Sequence, residues 1–163
     1  MLQMLRALAV LGILTTLSPH AHAQGVVMQR NLSLEMAKTI AEAALAECKS
    51  QGFNTAVVVV DRAGDPMVMM RSETATAQML EMARRKAYTA RMFRRTTLDF
   101  QARTEDPSRA PQRQIFDILA LGGGVPIQVS DDTFGAVGSA GSNQELDDAC
   151  AKAGVASVAD LLK

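Results

Sequence analysis

A lysine stands where a helix should be apolar. In Ala83–Thr97, ARRKAYTARMFRRTT, a rotation of roughly 100° per residue groups Met79, Met82, Ala83, Ala87, Ala90 and Phe93 in one arc. Lys86 lies inside that arc and Thr89 at its edge. An amine on a core-facing stripe must snorkel to water, meet a carboxylate or meet an anionic ligand. Arg84, Arg85, Arg91, Arg94 and Arg95 surround it, making six cations in twelve residues. Two readings stand: a solvated basic face with a snorkelling lysine, or a cleft for something negatively charged and partly flat or apolar.

Histidine chemistry is bounded by the amino terminus. Met1–Ala23 has Arg6, the apolar run Ala7–Leu14 and a small-x-small site at Ala21-His22-Ala23, the pattern of a secretory signal peptide. Cleavage before Gln24 is expected, leaving one domain, residues 24–163, in the periplasm or medium and with no membrane insertion. Both histidines, His20 and His22, leave with the signal, so no imidazole remains for acid–base work, a nucleophile pair or a metal. No metal site is expected. Formal net charge is zero, with one Tyr and no Trp, which argues against nucleic acid as a partner.

The elements that must position Lys86 follow from periodicity. Ser33 caps a helix to about Ser50, striped by Ala37, Ile40, Ala41, Ala44, Leu45 and Cys48. Thr55–Val60 is a strand apolar on both faces. Asp61–Pro66 turns the chain into a second strand, Met67–Arg71, and a long helix runs from about Thr74 to Arg95. Leu98–Arg113 mixes a short helix with loop, and Ile115–Leu121 is a brief apolar segment. Ile127–Val129 and Thr133–Val137 form a second hairpin around Ser130-Asp131-Asp132. Ser142-x-x-Glu145 is a capping box for the last major helix, and Val158–Leu162 a short closing helix. Two hairpins with flanking helices give an α+β sandwich, its antiparallel sheet covered on both faces.

Other groups carry alternative readings. Gly122-Gly123-Gly124 permits close approach to a ligand, or only a bend. Gly135-x-x-Gly138-x-x-Gly141 could hold an anion or serve close packing. Cys48 and Cys150 lie on the apolar stripes of the first and last major helices, so an oxidising compartment makes them disulfide candidates, and otherwise buried thiols. Met67, Met69, Met70, Met79, Met82 and Met92 are adaptable core filling, or a soft wall for a planar ligand with a thioether for iron. Tyr88 projects from the polar side of its helix.

The segments VVVVDRAGDPMVMMR, ARRKAYTARMF, LGGGVPI and FGAVGSAGSNQELDDACAKAG resemble, in that order, the GlcG/HbpS (haem-binding, PduO C-terminal-like) family. The resemblance spans Leu32–Gly154. It implies a profilin-like sandwich assembled into homo-oligomers, with haem as a possible cofactor of exported members and a catabolic setting for others. The family pattern falls on Asp61, Gly64, Lys86, Thr89, Ala90, Gly123, Gly124, Pro126, Gly135, Gly138, Gly141 and Asp147. After the second strand this chain reads Arg71-Ser72-Glu73-Thr74-Ala75, where many relatives carry an Arg-Met-Asp-Gly-Ala-like segment.

Two functions follow as expectations. One is an exported protein binding haem or another anionic, partly apolar small molecule. Arg71 and Lys86 would meet carboxylates there, Asp61 would join the site, and Thr89 with Gly122, Gly123 and Gly124 would add hydrogen bonds. The other is an isomerase-like catabolic enzyme in which Lys86, its pKa lowered by burial, acts as base or electrostatic stabiliser with Asp61 as its acidic partner.

Overall fold

The computed structural model describes residues 25–162, so the expected signal peptide, Met1–Ala23, lies outside the described residues. Leu34–Ser50 forms α1, capped by Ser33 Oγ accepting from Met36 N at 3.1 Å. Its buried stripe is Ala37, Ile40, Ala41, Ala44 and Cys48, and Leu45 is only partly covered. Strands β1 (Ala56–Val60) and β2 (Pro66–Arg71) pair antiparallel. Helix α2 (Ala77–Phe93) is capped by Thr76, so it starts three residues after the expected Thr74 and stops before Arg94, which turns left-handed at φ 54°.

A short α3 (Thr97–Arg103) and a 3-10 turn at Ala110–Gln114 lead to strands β3 (Gly124–Val129) and β4 (Asp132–Ala140). Both strands are longer than their apolar alternation implied. Gly124 is already a strand residue paired with Gly138, and a Cβ on either would meet the backbone of α2. Helix α4 (Gln144–Ala156) and a 3-10 turn at Ala159–Leu161 close the chain, the latter in place of the expected terminal helix.

The sheet order is β2-β1-β4-β3, antiparallel throughout, so the two hairpins join through β1 and β4. Alternation along β1 divides the core into two layers. Val57 and Val59 meet Ile40, Ala41, Ala44, Val137 and Ala151 beneath α1 and α4. Ala56, Val58 and Val60 meet Ala83, Ala87 and Ala90 of α2 on the opposite face. The fold is therefore an α+β sandwich with an antiparallel sheet flanked by helices on both faces, as the resemblance implies.

Small residues bring α2 unusually close to the sheet. A Cβ at Gly138 would collide with the backbone carbonyl of Ala83 and the amide of Ala87. The glycine run Gly135, Gly138, Gly141 thus serves close packing. On the other face, Cys48 of α1 and Cys150 of α4 are joined as a disulfide with Cα atoms 5.5 Å apart. The link closes a separation of 102 residues between two wholly buried side chains. Among the described residues no helix is long and apolar enough to cross a membrane.

Candidate functional site

The periodicity that puts Ala83, Ala87 and Ala90 on the sheet also points Lys86 inward, and its side chain is only 2% exposed. Its amine reaches the end of β4. There Nζ donates to the Ser139 carbonyl at 2.9 Å and to Asp147 Oδ2 at 2.7 Å. The other carboxylate oxygen, Oδ1, accepts from Ser142 Oγ at 2.7 Å and from Ser142 N at 3.1 Å. Helix α4 is capped one residue later than the capping-box motif suggested: Asn143 Oδ1 accepts from Leu146 N at 2.8 Å. Ser142 is thereby free to orient Asp147.

Gly123 packs directly against the Lys86–Asp147 pair. Its φ of +120° is one that side-chain-bearing residues rarely adopt, and a Cβ there would lie 2.9 Å from Lys86 Nζ and 2.5 Å from the Ser139 carbonyl. Its carbonyl accepts from Ser139 N at 2.8 Å, which ties the glycine loop to β4. Gly122 N donates to Gln144 Oε1 at 2.8 Å, tying the same loop to α4.

Burial pushes the Lys86 ammonium below the usual lysine range, and attraction to Asp147, with a smaller contribution from Asp148, opposes that push. An ammonium has three N–H donors, and two are used. Lys86 and Asp147 form part of the wall of a cavity of about 520 Å³. Met79, Met82 and Leu121 supply its apolar side, and Ser142, Asn143, Gln144 and Glu145 its polar side. The positive charge of Lys86 is already balanced by Asp147, and Glu145 adds a further carboxylate. The expected attraction for an anionic ligand is therefore not built into this cavity.

Of the residues singled out by sequence, the fold places Lys86, Met79, Met82 and Gly141 in the cavity wall, with Gly123 packed against the amine and Gly122 tied to Gln144. Gly124 sits just behind, its N donating to Thr97 Oγ1 at 2.8 Å. Asp61 is elsewhere and is not the partner of Lys86. Its Oδ1 accepts from Ala63 N, Gly64 N and Asp65 N at 2.8, 3.0 and 3.0 Å, which makes it the brace of the β1–β2 turn. Arg71 donates to the Ala75 carbonyl at 2.8 Å and pins the loop before α2. Thr89 Oγ1 donates to the Arg85 carbonyl and accepts from Leu119 N, at 2.8 and 2.9 Å.

The basic run is mostly occupied as well. Arg84 pairs with Glu81 and Asp117, each at 2.8 Å, and Arg85 donates to the Ile118 carbonyl at 2.8 Å. Asp147 and Ser142 are the site residues that spacing alone did not select. Asp147 stands in the family pattern, but a carboxylate in the first turn of a helix ordinarily signals only favourable interaction with the helix dipole.

Fold and site together define a small α+β domain with a ligand-sized cavity walled by a buried lysine–carboxylate pair. The chain belongs to the HbpS-like family: the family model described as haem degrading protein HbpS-like matches residues 32–156. It is similar to an uncharacterized 15.0 kDa protein from the dhaT-dhaS intergenic region of Citrobacter freundii, with 31% identity over 121 residues, 71% of this chain and 84% of that protein. The crystal structure of HbpS superimposes with a TM-score of 0.78 at 31% identity, covering 83% of this chain and 96% of the other. A PduOC–haem complex shares the fold at 22% identity, with a TM-score of 0.71 over 78% of this chain and 95% of the other.

Proposed function

We propose that the protein is an exported small-molecule-binding protein whose ligand occupies the Lys86–Asp147 cavity. The observation that carries this reading is the juxtaposition of a buried charge pair, whose ammonium keeps one N–H unused, with a cavity of about 520 Å³. That volume falls in the usual range of small-ligand sites, about 300–1,000 Å³, and mixes apolar walls with a few polar groups as such sites do. The charge balance selects a compact, uncharged molecule: its acceptor atom takes the remaining Lys86 N–H and its apolar part lies against Met79, Met82 and Leu121. Export is supported by the sequence of Met1–Ala23 and agrees with a buried disulfide.

Haem is the second reading, supported by the family description and by the haem-bound structural neighbour. The Lys86 cavity itself does not fit haem. Its only soft donors are the thioethers of Met79 and Met82, it has no imidazole, thiolate or phenolate, and Glu145 and Asp147 would face the propionates. Haem is accordingly assigned to another part of the surface in that reading.

The test is a fragment titration of the mature protein followed by NMR. Small amides and ketones should shift Met79, Met82 and Gly123 resonances saturably, and the absence of any such shift refutes the cavity reading. Haemin is titrated in parallel with wild type and K86M. A saturable Soret change of equal affinity in both supports haem outside the cavity, whereas loss of it in a K86M protein that keeps the wild-type circular dichroism returns haem to the cavity. Amino-terminal sequencing of periplasmic material should begin at Gln24.

We extend the proposal to a homo-oligomer. Support comes from Ile115 and Phe116, 53% and 86% exposed side by side on the surface, an apolar pair suited to a partner copy. A monomer mass by light scattering across a wide concentration range would refute assembly.

A further inference from the structure

A lysine that merely closes an ion pair does not need to sit in the wall of a cavity. Lys86 does, and the lack of a side chain at Gly123 lets the glycine loop pack directly behind its nitrogen. Asp147 Oδ2 is 2.7 Å from the amine, close enough to exchange protons with it, while Ser142 fixes the other carboxylate oxygen. Three apolar side chains, Met79, Met82 and Leu121, offer a dry surface to a short carbon chain.

We infer that Lys86 is a nucleophile toward aldehydes, and that the cavity takes a short carbonyl compound and holds it as a Schiff base. This rests on the cavity being the ligand site. The ammonium of Lys86 gives a proton to Asp147 Oδ2, and the freed lone pair forms a C–N bond to the carbonyl carbon. The C=O π electrons move to oxygen, which takes the proton back from Asp147. Asp147 then removes a second N–H proton and delivers it to the hydroxyl, which leaves as water. The product is a protonated imine with Asp147 as its counter-ion, and no oxidant or reductant is consumed. Burial, which lowers the amine's proton affinity, favours the first step.

The experiment uses the mature disulfide-bonded protein with limiting butyraldehyde and cyanoborohydride, and maps reductive labelling by peptide mass spectrometry. Lys38 pairs with Glu35 and Lys152 with Asp148 at the surface, so they and Lys49 serve as internal controls. Lys86 should label faster than these three, because the cavity holds the aldehyde beside an amine that burial leaves more often neutral. Equal or slower labelling of Lys86 overturns the inference without requiring any variant to fold. D147N, checked by circular dichroism, removes the carboxylate that holds the ammonium charged as well as the proton acceptor. Labelling at Lys86 should still slow about tenfold, the lost proton transfer outweighing the gain in neutral amine, and the controls should be unchanged. Unchanged labelling at Lys86 in a folded D147N protein removes Asp147 from proton transfer and overturns the mechanism. Butyramide is titrated separately by NMR. Shifts at Met79, Met82 or Gly123 without Lys86 labelling would sink the Schiff base and keep the cavity as a binding site. Neither shifts nor labelling would sink both.

Discussion

Lys86 of α2 and Asp147 of α4 stand 61 residues apart in the chain and 2.7 Å apart in space, both almost fully buried. Their contact passes around the end of the sheet, beside Ser139 and Gly123, and joins the helix on one face to a helix on the other. Breaking one side of such a pair leaves an unpaired buried charge, whereas replacing both sides by apolar groups does not.

Lys86→Met alone should therefore destabilise the fold by about 3–5 kcal/mol, while Lys86→Met combined with Asp147→Leu should recover most of that loss. Urea unfolding of both variants checks this. A single variant as stable as wild type would show that the pair is not energetically coupled.

The lowered pKa of Lys86 makes stability depend on alkaline pH. Between the folded-state value and the ordinary 10.5, the unfolded chain binds more protons at this site, so stability rises with pH. The contribution is fully present above the unfolded value and is lost as pH falls through the folded one. Unfolding free energy of wild type minus that of the double variant, measured from pH 8 upward, should climb through this window. A flat difference would contradict the burial effect.

Asp61→Ala should act on the turn and not on the cavity. Losing an acceptor for three backbone N–H groups should cost about 1–3 kcal/mol, with fragment shifts at Gly123 unchanged. Lost fragment binding in a folded Asp61→Ala protein would restore Asp61 to the site.

Gly123→Ala should damage the site by placing a methyl against Lys86 Nζ and the Ser139 carbonyl at a strained φ. A destabilisation of about 1–3 kcal/mol is expected, together with loss of fragment binding. Wild-type binding in this variant would mean that the loop has room to move.

Cys48→Ala with Cys150→Ala should lower stability by about 4–5 kcal/mol, because the bridge removes a loop of about a hundred residues from the unfolded ensemble. Denaturant unfolding of oxidised and variant protein measures it. Thiol counting under denaturing, non-reducing conditions should find no free thiol.

What the sequence determined by itself was set by short-range periodicity. The α1 and α2 stripes, the two-faced apolar run of β1 and both hairpins follow from residues a few positions apart, and they suffice for the sandwich and for an inward Lys86. Cys48 and Cys150 were legible too, since each lies on an inward stripe of its own helix. The partner of Lys86 was not. Asp61 is nearer in sequence, but it follows Val60 at the end of β1 away from Ser139, and its carboxylate is taken up by amides of its own turn. Asp147 has no local signal, because a carboxylate in a first helical turn reads as a dipole effect. Only the packing of α2 and α4 on opposite faces of one sheet brings it to the amine. Tertiary structure likewise decided the charge balance of the cavity wall: six cations in twelve residues suggested a site for an anion. In the folded molecule Arg84 and Lys86 have carboxylate partners and Arg85 a backbone carbonyl, so the run attracts far less than its composition implies.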